Sequence, residues 1–245
     1  CSQVSCMSAT GSMDRRDYWN QAALECGPKS LDKELSETSS WDDVLATGEA
    51  DLAEAMKATE LTFGRERSAL EIGCGAGRMT HALGLRYERV LAVDIAPRMI
   101  EMAQSHRQLE NVSFVLANEQ SIVPPEAGTF DTIFSYEVFH YLPTDLLNHY
   151  LRTAYSLLNP GGELVFQLNA VPISRSTRIS MRLRTLMFTI GIKQWRGWSN
   201  DPAFQRQYHS PERIVSQLES IGFKSDRPNG HLRQTWFRAV RSDAG

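Results

Sequence analysis

Ala69-Leu70-Glu71-Ile72-Gly73-Cys74-Gly75-Ala76-Gly77-Arg78 is the stretch that decides the fold. A short apolar run carrying one acid meets three glycines at every second position. This is the pattern of a buried strand that turns sharply into a helix. Each glycine removes a Cβ where the backbone bends or a ligand comes close. The helix that follows aims its unpaired N–H groups and the positive end of its dipole at that ligand. One strand later, Val90-Leu91-Ala92-Val93 ends in Asp94. The separation, about 20 residues, fits a βαβ unit whose acid holds ribose hydroxyls.

Working outward, the chain has 245 residues, 42% of them hydrophobic, and a net charge of −3. That length suits one α/β domain with an insertion. The charge argues against a protein that coats nucleic acid by bulk attraction. No apolar run approaches the roughly 18 residues of a membrane span, and no charged-then-apolar signal opens the chain. A cytoplasmic enzyme is the expectation. Four cysteines, Cys1, Cys6, Cys26 and Cys74, form no C-x-x-C pair, so the sequence supports neither zinc nor redox chemistry and no metal is expected. Residues 1–13 read as a polar tail. Within it Gly11-Ser12-Met13 resembles a cloning scar ahead of a native start, with Met7 the alternative start.

Residues 14–64 read as a helical cap. Its pieces are a helix from Arg15 through Tyr18 and Trp19, short amphipathic segments at Leu31–Leu35 and Trp41–Leu45, and a helix over Glu49–Leu61. From residue 65 strands and helices alternate, the sign of a parallel sheet. Strands are expected at Ala69–Ile72, Arg89–Asp94, Val112–Leu116, Phe130–Phe134 and Glu163–Leu168. A helix starts at Pro97, well placed in a first turn. A longer one runs from Thr144 as N-cap to Leu158 and is stopped by Asn159-Pro160-Gly161-Gly162. Another follows Ser210-Pro211 and ends at Gly222. Phe223–Arg227 and Thr235–Val240 are expected to close the sheet as an antiparallel pair.

The glycine loop is spaced G-x-G-x-G, and Arg78 stands where a dinucleotide fold has its last glycine. Together with Glu71 it resembles the first motif of class I S-adenosylmethionine-dependent methyltransferases. Three further positions match that family. Phe114-Val115-Leu116-Ala117-Asn118-Glu119 ends strand three. Phe130-Asp131-Thr132-Ile133-Phe134-Ser135-Tyr136-Glu137-Val138-Phe139-His140 is similar to strand four and its loop, and Leu158–Gly162 to the turn before strand five. The ordered set covers about residues 65–170. The resemblance implies a doubly wound, Rossmann-like, seven-stranded, mainly parallel sheet with helices on both faces. It adds an N-terminal cap over residues 14–64, and it makes 65–245 the methyltransferase domain with a helical insertion at 171–209. The implied cofactor is S-adenosyl-L-methionine, with contacts from Tyr18, Glu71, Gly73, Gly75, Arg78, Asp94, Ile95, Asn118, Glu119 and Ser135. Asp94 would bind the ribose diol and Glu71 would favour the cationic methionine end, with pairing to Arg78 as its alternative. Arg78 would otherwise meet the cofactor carboxylate. Tyr18 would reach the sulfonium or the methionine carboxylate, or else only pack the cap. Asn118 stands where the family usually has Asp, and its carbonyl oxygen would accept from the adenine amino group, with the Glu119 backbone N–H beside it.

The methyl group then moves by in-line displacement to a small-molecule acceptor. His140 and His209 are the candidate catalytic bases, since histidine titrates near working pH. Glu137 and His140 also form a Glu-x-x-His pair without the partners of a di-iron site. Ser135-Tyr136-Glu137-Val138 departs from the Asn/Asp-Pro-Pro-aromatic tetrad of DNA amino methyltransferases, so DNA is not an expected partner. From Arg175 to Arg196 the insertion alternates Arg178, Arg182, Arg184 and Lys193 with Ile, Leu, Met and Phe and carries no acid. Its apolar face is expected to cover the acceptor. Its arginines suit a phosphate, a carboxylate, an acyl-carrier protein or an acidic lipid surface; a solvated helix face is the other reading. Two alternatives stand beside the small-molecule enzyme, which would serve natural product biosynthesis as a monomer or homodimer. One is an RNA methyltransferase. The other is a protein that uses the sulfonium only as a charge, for instance in a cyclisation.

Overall fold

The computed structural model describes residues 15–26, 39–106, 109–124, 127–195, 198–202 and 205–242. The segment Leu31–Leu35, the tail at 1–13 and Arg196 lie outside the described residues. The chain runs α1 Arg15–Cys26, α2 Trp41–Thr59, β1 Gly64–Ile72, α3 Arg78–Gly84, β2 Tyr87–Asp94, α4 Pro97–Ser105, β3 Val112–Leu116 and β4 Phe130–Ser135. It continues through a 3-10 turn at Phe139–Tyr141, α5 Thr144–Leu157, β5 Leu158–Leu168, α6 Arg175–Thr189 and the two-residue strands β6 Gln194–Trp195 and β7 Trp198–Ser199. It ends in α7 Pro211–Ile221, β8 Phe223–Ser225, β9 Asn229–His231 and β10 Gln234–Arg241.

The strand order is β3-β2-β1-β4-β5-β10-β8. The first five strands are parallel; β10 is antiparallel to both β5 and β8. This is the doubly wound α/β architecture expected, with β9 as an eighth strand paired to β10. Neighbouring residues on each central strand face opposite sides of the sheet. Leu70, Ile133, Phe166 and Phe237 pack with Leu147, Leu151 and Leu218 of α5 and α7. Their neighbours Ala69, Phe134, Val165 and Trp236 pack with Leu52, Met79 and Leu83 of α2 and α3. The order reverses between β1 and β4, which opens a crevice beyond the carboxyl ends of those strands.

Several boundaries differ from expectation for local reasons. α2 is one helix rather than two pieces, opened by a Ser40–Asp43 capping box. Gly48, between the two expected pieces, is a close contact: a Cβ there would lie 2.3 Å from the Arg78 carbonyl oxygen. Thr144 is not the N-cap of α5. Pro143 occupies that position and Thr144 is the first helical residue. β5 begins at Leu158, whose partner is Phe130, so the Asn159–Gly162 turn is drawn into an irregular strand start. Asp131 secures this corner. Burial works against its charge, but hydrogen bonds from Ser68 N, Asn159 Nδ2 and Ser68 Oγ hold its carboxyl below the usual range. α7 is capped as expected by Ser210, and by Gly222 at φ 117°.

Candidate functional site

The glycine loop is sewn to the end of β2. Gly73 N and Cys74 N both donate to the Val93 carbonyl, at 2.8 and 3.0 Å. Gly73 adopts φ 78°, and a Cβ on it would stand 2.3 Å from Val138 Cγ2, so no other residue fits between β1 and the loop after β4. Asp94 closes the turn: its carboxylate accepts from Gly75 N at 2.9 Å and from Ala96 N at 2.8 Å. Burial raises its pKa above the ordinary value, while the amides of Ala96, Gly75 and Ile95 pull the other way. A carboxylate offers about four acceptor positions. These amides take part of that capacity on Asp94, and what remains suits a ribose hydroxyl. Ile95 follows, partly exposed on the same edge.

α1 crosses this edge. Arg15 Nε donates to Glu119 Oε1 at 2.6 Å, beyond the end of β3. Asn20 Oδ1 accepts from Arg98 N at 2.9 Å and so caps α4, whose own N-cap, Ala96, has no side-chain acceptor. Ala23 and Trp19 pack on Ala76 of the glycine loop and on Ala96 and Met99. Trp19 meets Tyr141 edge to face at 5.2 Å and Tyr18 at 5.2 Å. The expected cap therefore reaches from the end of β3 to the loop after β4, with Tyr18 partly exposed beneath it. Nothing in the sequence marked Asn20 as a cap for a distant helix.

Glu71 is buried and takes a 2.5 Å hydrogen bond from Thr80 Oγ1. Desolvation raises its pKa to about 7 against the pull of Thr80 and Arg78. Arg78, expected at the cofactor carboxylate, turns instead toward α2. It is buried, pairs with Asp51, reaches Thr47 Oγ1 at 3.3 Å and lies over the Tyr136 ring at 5.3 Å. Neither is it hydrogen-bonded to Glu71; its effect on that carboxyl is through space. Asp51→Asn should therefore cost about 2 kcal/mol of stability by leaving a desolvated guanidinium without its counter-charge. Urea unfolding at neutral pH measures it, and an unchanged midpoint would show that Thr47 and Tyr136 suffice.

Two other expected contacts are spent on the protein itself. The Asn118 carbonyl oxygen accepts from Gln120 N at 3.0 Å and Ser121 N at 2.7 Å, so both lone pairs are committed to the turn after β3 and are not left for adenine. Ser135 is buried and donates to the Ile72 carbonyl at 2.9 Å, so its hydroxyl braces β4 against β1 rather than facing a ligand. Cys74, inside the loop, is buried, and desolvation and the nearby acids push its thiol well above the ordinary value; it is no nucleophile.

The loop after β4 gathers the candidate bases. Glu137 holds a left-handed backbone at φ 57°, an unusual state for a non-glycine that argues for a functional position. Its Oε2 lies 3.6 Å from Nε2 of the buried His140. Tyr141 adjoins, its hydroxyl pushed up to about 12 by burial. The end of the insertion binds this loop: Gln207 N donates to the His140 carbonyl at 2.7 Å, and His209 Nε2 donates to the Leu142 carbonyl at 3.0 Å. Burial lowers the His209 pKa, against the pull of its hydrogen bond to the Leu142 carbonyl. Arg206, which the sequence did not single out, donates to the carbonyls of Asn169 and Val171 at 2.7 and 2.8 Å and fastens the insertion to the end of β5.

Residues 69–162 match the family profile described as a methyltransferase domain. Residues along 70% of the chain are 28% identical, over 177 residues, to 69% of the ubiquinone biosynthesis O-methyltransferase of Xanthomonas euvesicatoria pv. vesicatoria (strain 85-10). The matched stretch is an S-adenosylmethionine-dependent methyltransferase domain of the class I kind. The fold of the chain is shared with magnesium protoporphyrin IX methyltransferase from Synechocystis PCC 6803 with bound SAH, at TM-score 0.61 and 17% identity over 93% of this chain and 98% of that one. It is shared too with the DhpI–SAH complex, at TM-score 0.62 and 18% identity over 97% and 100% of the two chains. This methyltransferase takes S-adenosylmethionine as its cofactor, and the Asp94 carboxylate and glycine loop have the donor and acceptor chemistry to hold it. Among the described residues no group of side chains could hold a metal, and no helix is long and apolar enough to cross a membrane.

Proposed function

We propose that this methyltransferase acts on a hydroxyl oxygen of a small-molecule acceptor, with His140 as the group that takes up the proton. The observation that carries this is the buried His140 imidazole facing the Glu137 carboxylate at the tip of β4. The names of the relatives, a ubiquinone biosynthesis O-methyltransferase and a magnesium protoporphyrin IX methyltransferase, support the small-molecule class. Asp94 takes the ribose hydroxyls. The Glu119 backbone N–H and the Asn118 amide nitrogen meet the adenine edge, and Tyr18 turns its ring to the sulfonium. When bound, the cofactor supplies a methyl carbon on a good leaving group. The site holds the acceptor in line with it, about 3–3.5 Å away, and α1 keeps water out. With the cofactor bound, transfer of its methyl to the acceptor oxygen would release the hydroxyl proton to His140, and Glu137 would steady the imidazolium. The end of the insertion, from Arg206 to His209, borders the acceptor. Arg206, anchored by carbonyls and not by a carboxylate, presents its charge to an anionic group on it.

Incubation with S-adenosylmethionine and a panel of catechols, phenols and hydroxybenzoates, read as S-adenosylhomocysteine formed, tests the class. On a substrate so found, His140→Ala should lower kcat by about 10²- to 10⁴-fold with little change in the KM for the cofactor. A kcat within threefold of the native value would remove His140 from the chemistry. No product from any acceptor would leave a protein that binds the sulfonium without transferring the methyl.

A further inference from the structure

α6 is amphipathic twice over. Its inner face is occupied: Phe188 is buried, and Gln205 Nε2 reaches the Met181 carbonyl at 3.3 Å and Thr185 Oγ1 at 3.0 Å. An apolar stripe lies on the side of the helix opposite Phe188. Ile179, Leu183, Leu186 and Ile190 recur at helical spacing along one line and are 67%, 48%, 58% and 68% exposed. Arg175, Arg178 and Arg182 lie along one flank of that line, all exposed. Beyond the helix, Ile192 and Trp195 extend the apolar surface, at 44% and 39% exposure. Such a run of surface is not explained by the fold, since each of these side chains would be as well placed if polar.

We propose that the outward face of α6 docks the protein on an anionic lipid surface. The combination favours lipid over an acidic protein. An apolar stripe along the helix axis, arginines on its polar border and a tryptophan at its end are the features of a helix lying in the headgroup layer. Charge supports the orientation. From residue 171 to residue 200 the sequence has five arginines, one lysine and no acid, so the remainder of a chain of net charge −3 is strongly acidic. An anionic surface therefore attracts this face and repels the rest of the molecule. α6 follows β5, on the same edge of the sheet as the glycine loop and Asp94, so docking brings the crevice to the lipid boundary.

The test is co-sedimentation of the full chain with vesicles of phosphatidylcholine alone or with a quarter phosphatidylglycerol, at about 50 and about 500 mM salt. Partition should favour the anionic vesicles at least tenfold and collapse at high salt. The combined variant Arg175→Glu, Arg178→Glu, Arg182→Glu should lose at least tenfold. Ile179→Ser with Leu186→Ser should lose about fivefold, and both should melt with the native protein because the altered side chains are exposed. Absence of partition at low salt overturns the proposal, as does partition that neither variant changes. A dimer in solution that the serine variant splits, in place of vesicle binding, would assign the stripe to a second copy of the chain and overturn it equally.

Discussion

Asp94→Ala should weaken S-adenosylmethionine binding about a thousandfold, the worth of two hydrogen bonds to a charged acceptor at roughly 2 kcal/mol each. The substitution removes the acceptors for the ribose diol. It also frees the Gly75 and Ala96 amides, which the carboxylate draws together from the glycine loop and the start of α4. The loop would have to be reordered by the ligand, and that cost adds to the lost contacts. Asp94→Asn keeps one carbonyl oxygen and should lose less. Calorimetric titration measures both, with a circular dichroism melt to confirm that each variant is folded. An alanine variant within threefold of the native affinity would mean that the nucleoside lies elsewhere.

Glu71→Gln should reverse sign between the empty and the loaded protein. The carboxyl of Glu71, ordinarily at 4.5, is raised to about 7 in the fold, chiefly by desolvation. A raised acid favours folding fully below its unfolded pKa and loses that contribution as pH climbs through the folded one. The window is therefore about pH 4.5 to 7, and the stability lost across it is about 3 kcal/mol. Glutamine keeps an acceptor for Thr80 and has no charge to desolvate, so the variant should lose this slope and be the more stable protein at pH 8. Binding runs the other way. The ammonium and sulfonium of the cofactor favour ionised Glu71, so native affinity should rise from pH 6 to 8 with release of a proton, and the variant should bind weakly at both. Urea titrations at three pH values and calorimetry in buffers of different ionisation enthalpy read the two effects. A variant with the native slope of stability against pH would place the titration on another group.

The alternation of strand and helix and the G-x-G-x-G turn made the sheet legible before any coordinates, because period-two burial and glycine at left-handed positions are local demands. β3 runs from Val112 to Leu116 as read, and α7 begins at Pro211 and stops at Gly222 as read. Long-range partners were not legible. Arg78 looked poised for a carboxylate on the ligand. Its charge is taken by Asp51 on a helix whose approach depends on Gly48 having no side chain. Asn118 was matched by position to an acceptor, but a two-residue loop closure consumed its oxygen. The outward stripe on α6 was visible as composition, while its direction was not. A helix with two apolar faces does not say from letters alone which of them meets the sheet.

α1 lies across the edge where the glycine loop and the start of α4 meet, and of its described side chains Ala23 alone is buried. Spent cofactor must pass the same gate as fresh, and the gate is held by an ion pair at one end, a borrowed helix cap in the middle and an aromatic hinge pin at the other. If the cofactor passes beneath α1, its exchange would have to break the contacts of Arg15, Asn20 and Trp19 before any second turnover.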